Sequence, residues 1–288
     1  MEKFEIEPKI NPEAEPQFHF EEIAGIESSV LSLVQQLKET IDAQEYDTLI
    51  SDDIGGRIVT LVLRKIIKTL HPDQPLKTYF IASGQKYLPT PAPKDKENYD
   101  KLQEHLETIA DKTTKALIVT EFIFSGNVLI YLTDAIKDSG INNFDFAVLD
   151  SALYPKEKEE KFRRNKHKLY IGGTEWHLQN HPNFTGIGKL NQYLPFPKKL
   201  SKVIAEDGRD ISVEEQQEIF EIDPFEPTIV KQNKLKNPER IAELEKRKRI
   251  PLTSEEIAEI QQNINFARED VELLASRIIA QVWGKKSQ

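Results

Sequence analysis

Two short stretches of this sequence hold residue types that handle phosphate. The first is Asp52-Asp53-Ile54-Gly55-Gly56-Arg57. Paired glycines let backbone N–H groups approach an anion closely, and the Arg57 guanidinium is a planar donor fork suited to phosphate oxygens. The second is Glu121-Phe122-Ile123-Phe124-Ser125-Gly126-Asn127. Free N–H groups at a helix start, joined by the Ser125 hydroxyl, can surround a phosphate monoester, while Glu121 can accept hydrogen bonds from ribose hydroxyls. Each stretch also has a plainer reading. Gly55-Gly56 makes a tight turn with Arg57 in solvent, and Ser125 or Asn127 simply caps a helix.

Other chemistry is sparse. His177 and His181 stand four apart with Glu175 nearby, a spacing that suits a metal on a helix. Pro182, with Gly172, Gly173 and Asn180, favours an irregular segment there instead. No G-x-G-x-x-G, P-loop or H-E-x-x-H pattern occurs. The chain has no cysteine, which removes disulfides, iron–sulfur clusters, cysteine-ligated zinc and thiol catalysis.

The elements that must carry the two stretches follow from hydrophobic periodicity. Residues 1–20, with Pro8, Pro12 and Pro16 among charges, are expected to form an extended or disordered arm. Ile23, Ile26, Val30, Leu33, Val34, Leu37 and Ile41 recur mostly at steps of three and four, one face of a helix. Tyr46–Ser51, Thr78–Ser83, Ala116–Thr120, Asn143–Asp150 and Lys168–Gly172 are short runs that read as buried strands. Ile58–Leu70 and Val128–Asp138 have helical length, the second closed by Gly140 as a left-handed C-cap. This alternation implies an α/β domain over 21–200, with a mostly parallel five-stranded sheet flanked by helices. Each phosphate-suited stretch then follows a strand and opens a helix, where open α/β sheets bind ligands.

Beyond residue 200 the strand signals fade, and 201–288 reads as a helical C-terminal extension with helices at Asp210–Ile222, Asn237–Arg249 and Ser254–Trp283. Thr253-x-x-Glu256 is a capping-box pattern at the start of the last one. Its Ile257, Ile260, Ile264, Ala267, Val271, Leu274, Ile278 and Val282 sustain a heptad seam. Ile241, Leu244 and Ile250 of the preceding helix are enough to cover about half of a helix roughly 45 Å long. The other half is expected to take a second copy of the chain, giving a homo-oligomer.

Taken together, the two loops and the elements around them resemble the type I phosphoribosyltransferase family. Tyr46–Arg57 looks like that family's first strand and the short Gly-containing loop that holds pyrophosphate. Leu117-Ile118-Val119-Thr120-Glu121-Phe122-Ile123-Phe124-Ser125-Gly126-Asn127-Val128 looks like its aliphatic strand, acidic end and 5-phosphate loop. The resemblance covers about residues 45–190. It implies binding of phosphoribosyl pyrophosphate or a nucleoside monophosphate and, in an active form, transfer of the ribosyl phosphate to a nitrogenous acceptor, with Mg²⁺ accompanying pyrophosphate. Asp53, Gly55, Gly56 and Arg57 would face pyrophosphate, Glu121 the ribose, and Ser125, Gly126 and Asn127 the 5-phosphate. Gly84–Lys115 corresponds to the family's closing loop, with Lys86, beside Gly84 and Tyr87, placed to neutralise a leaving pyrophosphate. Trp176 or His177 would stack on an acceptor base. The sequence departs from the pattern at Thr120, where the family has the first acid of a pair, and at Asn127 and Val128, which replace a small residue and a second Thr. Those departures suit an alternative, a non-catalytic member of the fold that senses nucleotide or builds an assembly.

Composition narrows the rest. With 39 Lys and Arg against 48 Asp and Glu, the 288-residue chain carries a net charge of -9, which argues against the phosphate neutralisation that nucleic-acid binding requires. The basic stretches Lys156–Lys168 and Lys231–Arg249 interleave acids and read as solvated faces. Apolar runs fall far short of the roughly 20 residues of a membrane span, and Met1–Pro16 lacks the order of a signal peptide. A soluble, cytoplasmic protein is expected.

Overall fold

The computed structural model describes residues 16–52, 56–81, 93–123, 127–151, 167–173, 201–204, 248–251 and 253–284. Five strands, β1 (Thr48–Asp52), β2 (Lys77–Ile81), β3 (Ala116–Ile123), β4 (Phe144–Ser151) and β5 (Leu169–Gly173), form one parallel sheet in the order β2-β1-β3-β4-β5. Strands that are apolar in nearly every position can be buried on both faces, as a parallel sheet demands. Successive residues of the central strands do face opposite ways. Leu49, Leu117, Val119, Ala147 and Leu149 pack with α2 (Glu27–Asp42) and α3 (Arg57–Leu70). Ile50, Ile118, Phe146 and Val148 pack with α4 (Pro93–Ala110) and α5 (Asn127–Asp138). The fold is thus the α/β architecture expected, with helices on both faces of an all-parallel sheet.

Boundaries shifted where tertiary pairing outweighed local pattern. β3 runs past Thr120 to Ile123, because Phe122 and Ile123 pair with Asp150 and Ser151 of β4. The amphipathic stretch from Glu21 is two helices, α1 (Glu21–Gly25) and α2, which meet at Ile26 with ψ near 0°. Gly140, at φ +92°, adopts the left-handed conformation expected after α5. Beyond residue 200 the chain contains strands, contrary to expectation: β6 (Ser201–Ile204) pairs antiparallel with β7 (Lys248–Pro251). Arg249, expected at a helix end, is therefore extended; Pro251 disfavours a helical Ile250 just before it. Residues 205–247, with the other two expected helices of this region, lie outside the described residues apart from that end.

The last helix, α6 (Ser254–Trp283), has the expected bounds and an unexpected seat. From Ala267 onward it lies on α2 and α3, burying Ala267, Val271, Leu274, Ala275, Ile278 and Ile279 in the core those helices share with the sheet. Each fully buried Leu, Ile or Val there contributes about 1.5–3 kcal/mol. Polar contacts tie the same stretch down: Arg277 to Glu27 at 3.3 Å, Trp283 Nε1 to Asp42 at 2.7 Å and Lys65 to Glu272 at 3.0 Å. Ile257, near the other end, is 40% exposed. Of the expected arm, residues 16–20 are described: they bend at His19, are extended at Phe20 and are held by α6. Asp270, buried on α6, accepts the backbone N–H groups of His19 and Phe20, both at 2.9 Å. Arg277 donates to the Pro16 carbonyl and lies over the Phe18 ring. Among the described residues no helix is long and apolar enough to cross a membrane.

The amino end of the sheet is closed by a polar network. The Tyr46 hydroxyl donates to Asp145 at 2.8 Å, and Lys115 bridges Asp145 and Glu45 while its ammonium lies over the Tyr46 ring. Burial, reinforced by Asp145, pushes the Tyr46 hydroxyl far above its usual range, so it remains a donor. Burial works against the Lys115 charge, but its bonds to Glu45 and Asp145 prevail and raise its pKa. Asp47 likewise overcomes partial burial by accepting from the backbone of Thr114 and Lys115 and from Thr48, which holds its carboxyl below the usual range. This end of the molecule has structural work for its charges.

Candidate functional site at the carboxyl end of the sheet

In the order β2-β1-β3-β4-β5 the strand order reverses between β1 and β3, β2 being added on one side and β4 on the other. From β1 it crosses by α3 on one face to β2; from β3 it crosses by α5 on the other face to β4. Helices that diverge to opposite faces leave a crevice where their strands end, and open α/β sheets bind ligands there. β1 and β3 are paired neighbours, with Ser51 opposite Val119. The two phosphate-suited stretches therefore begin side by side on adjacent strands, about one strand spacing, roughly 4.8 Å, apart, and β3 runs three residues past the level of Asp52 before its loop begins. Sequence separation between them is about 70 residues, so only the strand order brings them together.

Gly56 is buried and serves as N-cap of α3, with φ -87°. That backbone angle is open to any residue, so conformation alone does not call for a glycine there. Arg57 is the first residue of α3; it is half-buried, with its guanidinium carbon 4.4 Å from the centre of the Phe80 ring on β2. Glu121 lies within β3 and is 3% exposed, flanked by the pairs Thr120–Val148 and Phe122–Asp150. Asn127 opens α5. Asp53, Gly55, Ser125 and Gly126 lie outside the described residues, as do Gly84, Lys86, Tyr87, Glu175, Trp176, His177 and His181. The structure thus brings Gly56, Arg57, Glu121 and Asn127 to one end of the sheet.

More buried polar groups gather there than the sequence patterns picked out. Ser51 on β1, Thr120 on β3, and Asp150 and Ser151 on β4 are all nearly inaccessible. Asp150 accepts the N–H of Ser151 at 2.8 Å and sits one register step from Glu121. A buried carboxylate is costly unless it is hydrogen-bonded, so two of them on neighbouring strands mark this end as chemically distinct from the aliphatic middle. A signal was available: Asp150 ends the run Phe146-Ala147-Val148-Leu149 as Glu121 ends Ala116–Thr120. Beside them β5 finishes in Gly172-Gly173. A Cβ on Gly172 would stand 2.3 Å from the Ser29 carbonyl oxygen and 2.6 Å from that of Leu149. One on Gly173 would meet Ser29 Oγ at 2.8 Å and Asp150 Oδ1 at 3.0 Å. The pair lets α2 lie close on the end of the sheet.

Among the described residues no group of three or more His, Asp or Glu side chains is placed to hold a metal ion. The chain matches no protein-family model, and no curated protein or solved structure is significantly similar to it.

Proposed function

We propose that this chain is a phosphoribosyltransferase-like protein that binds phosphoribosyl pyrophosphate or a nucleoside monophosphate at the carboxyl ends of β1 and β3. One observation carries the reading: the Gly56-Arg57 loop and the Glu121–Asn127 loop, chosen for phosphate-suited residues, leave adjacent parallel strands at the reversal of strand order. Gly55, Gly56 and Arg57, with Asp53, face the pyrophosphate. Glu121 accepts from the ribose hydroxyls, and Ser125, Gly126 and Asn127 hold the 5-phosphate at the start of α5. Lys86 belongs to the same proposal as a charge that neutralises departing pyrophosphate, and Mg²⁺ as the ligand's counter-ion. In an active form the chain transfers the ribosyl phosphate to a nitrogenous acceptor and acts in the cytoplasm.

The test is thermal: phosphoribosyl pyrophosphate with Mg²⁺ raises the melting temperature of the parent, and Ser125→Ala combined with Gly126→Val abolishes that rise while leaving the apo transition in place. A double variant that responds like the parent sinks the site. A second reading, a non-catalytic nucleotide sensor or assembly subunit, is favoured by Thr120 standing beside Glu121 where a second acid would share the ribose. Ligand-induced stabilisation without pyrophosphate release, whichever base is added, selects it.

A further inference from the structure

Among the described residues β5 ends its side of the sheet. In a parallel ladder, alternate residues turn their main-chain N–H and C=O groups toward the neighbouring strand, and the residues between turn theirs away. The Phe146 N–H donates to the Lys168 carbonyl at 2.9 Å, so Lys168 and Tyr170 face β4, while Leu169 and Ile171 face the outer side. A side chain of α2 reaches that side. Gln36, itself exposed, donates from Nε2 to the Ile171 carbonyl at 2.6 Å. An edge strand with polar groups turned outward is a template for another strand unless charge, proline or a covering group deters it. Leu169-Tyr170-Ile171-Gly172-Gly173 has neither charge nor proline.

This edge is also self-complementary about Ile171. Two antiparallel copies of β5 on a two-fold axis there would set Ile171 against itself as a hydrogen-bonded pair, each N–H donating to the other's carbonyl. The Gln36 amide stands on that carbonyl in every copy, in the space an incoming N–H would need. We propose that Gln36 guards the outer edge of β5: it holds the Ile171 carbonyl and keeps the β5 edge of a second copy from pairing there. The role is independent of the phosphate-site reading and of any ligand.

The experiment combines light scattering on the full chain at tens of micromolar with amide exchange at β5. Gln36→Ala removes the guard, and its mean mass is expected to approach twice the parent's. Its Ile171 amide, newly paired, should exchange roughly tenfold or more slowly than in the parent. Gln36→Lys keeps a donor and adds a charge to the edge, so it retains the parent's mass. Ile171→Pro removes the outward N–H and spares the bonds to β4; added to Gln36→Ala, it returns the mass to the parent's. Leu169→Lys, which puts a charge on the strand, replaces the proline variant if the latter melts below the assay temperature. A Gln36→Ala variant with the mass and the Ile171 exchange of the parent overturns the guard role. So does a mass increase that the added Ile171→Pro or Leu169→Lys leaves in place, which would mark association through another surface. An Ile171 amide as well protected in the parent as that of Tyr170 would show the edge covered by the chain itself, and ends the proposal equally.

Discussion

Burial assigns different work to the charged residues at the two ends of the sheet. His167, near the start of β5, stacks on Phe144 at 4.0 Å, and its Nδ1–H donates to the Phe144 carbonyl. Burial lowers its pKa below the ordinary value, so the unfolded chain binds a proton more readily than the folded one. Its contribution to stability is therefore complete above the unfolded-state pKa of about 6.5 and declines as pH falls from there through the lowered folded value. His167→Phe keeps the stacked ring and forfeits the hydrogen bond, at about 1 kcal/mol near neutral pH. The gap to the parent should narrow in acid, and melting temperatures measured across that range check it; a constant gap would mean that His167 does not titrate with unfolding. Glu121 is the counterpart at the other end. If it holds ribose hydroxyls, Glu121→Gln weakens ribose 5-phosphate about tenfold or more, the size of a charged hydrogen bond, and leaves inorganic phosphate nearly untouched. Equal losses for both ligands would make Glu121 a structural acid at the strand end.

Among the elements, α1 is the one whose existence depends most on a distant residue. Its N-cap position is Phe20, which has no side-chain oxygen to satisfy the first N–H groups. Asp270 on α6 fixes the segment that leads into the helix, taking the N–H of Phe20 and of His19 with its two oxygens. His19 adds a ring stacked on Phe266 and a 3.0 Å contact to Glu269, both on α6. Asp270→Ala leaves those two donors without their acceptor and is expected to cost about 1.5–3 kcal/mol, the range for hydrogen bonds to a charged group. Amide hydrogen exchange gives the decisive reading. The His19 and Phe20 amides should lose protection in the variant, together with the α1 turn, while β3 and β4 keep theirs. Unchanged exchange at His19 and Phe20 would show that the arm is held by its apolar side chains alone.

At the scale of the molecule, α6 decides how an assembly could form. Deleting everything after Pro251 would strip the outer layer from α2 and α3, six buried apolar residues of α6 at once, and should cost more than about 5 kcal/mol, enough to unfold an ordinary domain. Truncation therefore cannot separate association from folding. A substitution in the half that projects beyond the core can. Ile257 is a large apolar side chain left 40% exposed at the start of the seam. If a second copy covers that half, the parent is a dimer by light scattering at micromolar concentration, and Ile257→Asp dissociates it without lowering the monomer's melting temperature. A parent that is already monomeric there removes the association.

Local pattern alone determined the strand and helix alternation, because a buried strand or an amphipathic helix needs only its own run of side chains and a glycine or proline to end it. Ala116–Thr120 and Ile58–Leu70 are legible for that reason, and so is the placement of both candidate loops between a strand and a helix. The family reading of those loops also came from the sequence, and it is still a proposal. Everything that depends on partners distant in sequence waited for the tertiary structure. Strand order made β1 and β3 neighbours and so brought Arg57 and Glu121 to the same end of the sheet. Pairing with Asp150 and Ser151 carried β3 three residues further. The seam of α6 specified a helix-sized groove but not which one, since α2 and α3 offer the same aliphatic chemistry that any helix would. Asp270, more than two hundred residues from the amides it caps, carries no sign of that role in its own neighbourhood, because a hydrogen bond depends on where the chain returns in space.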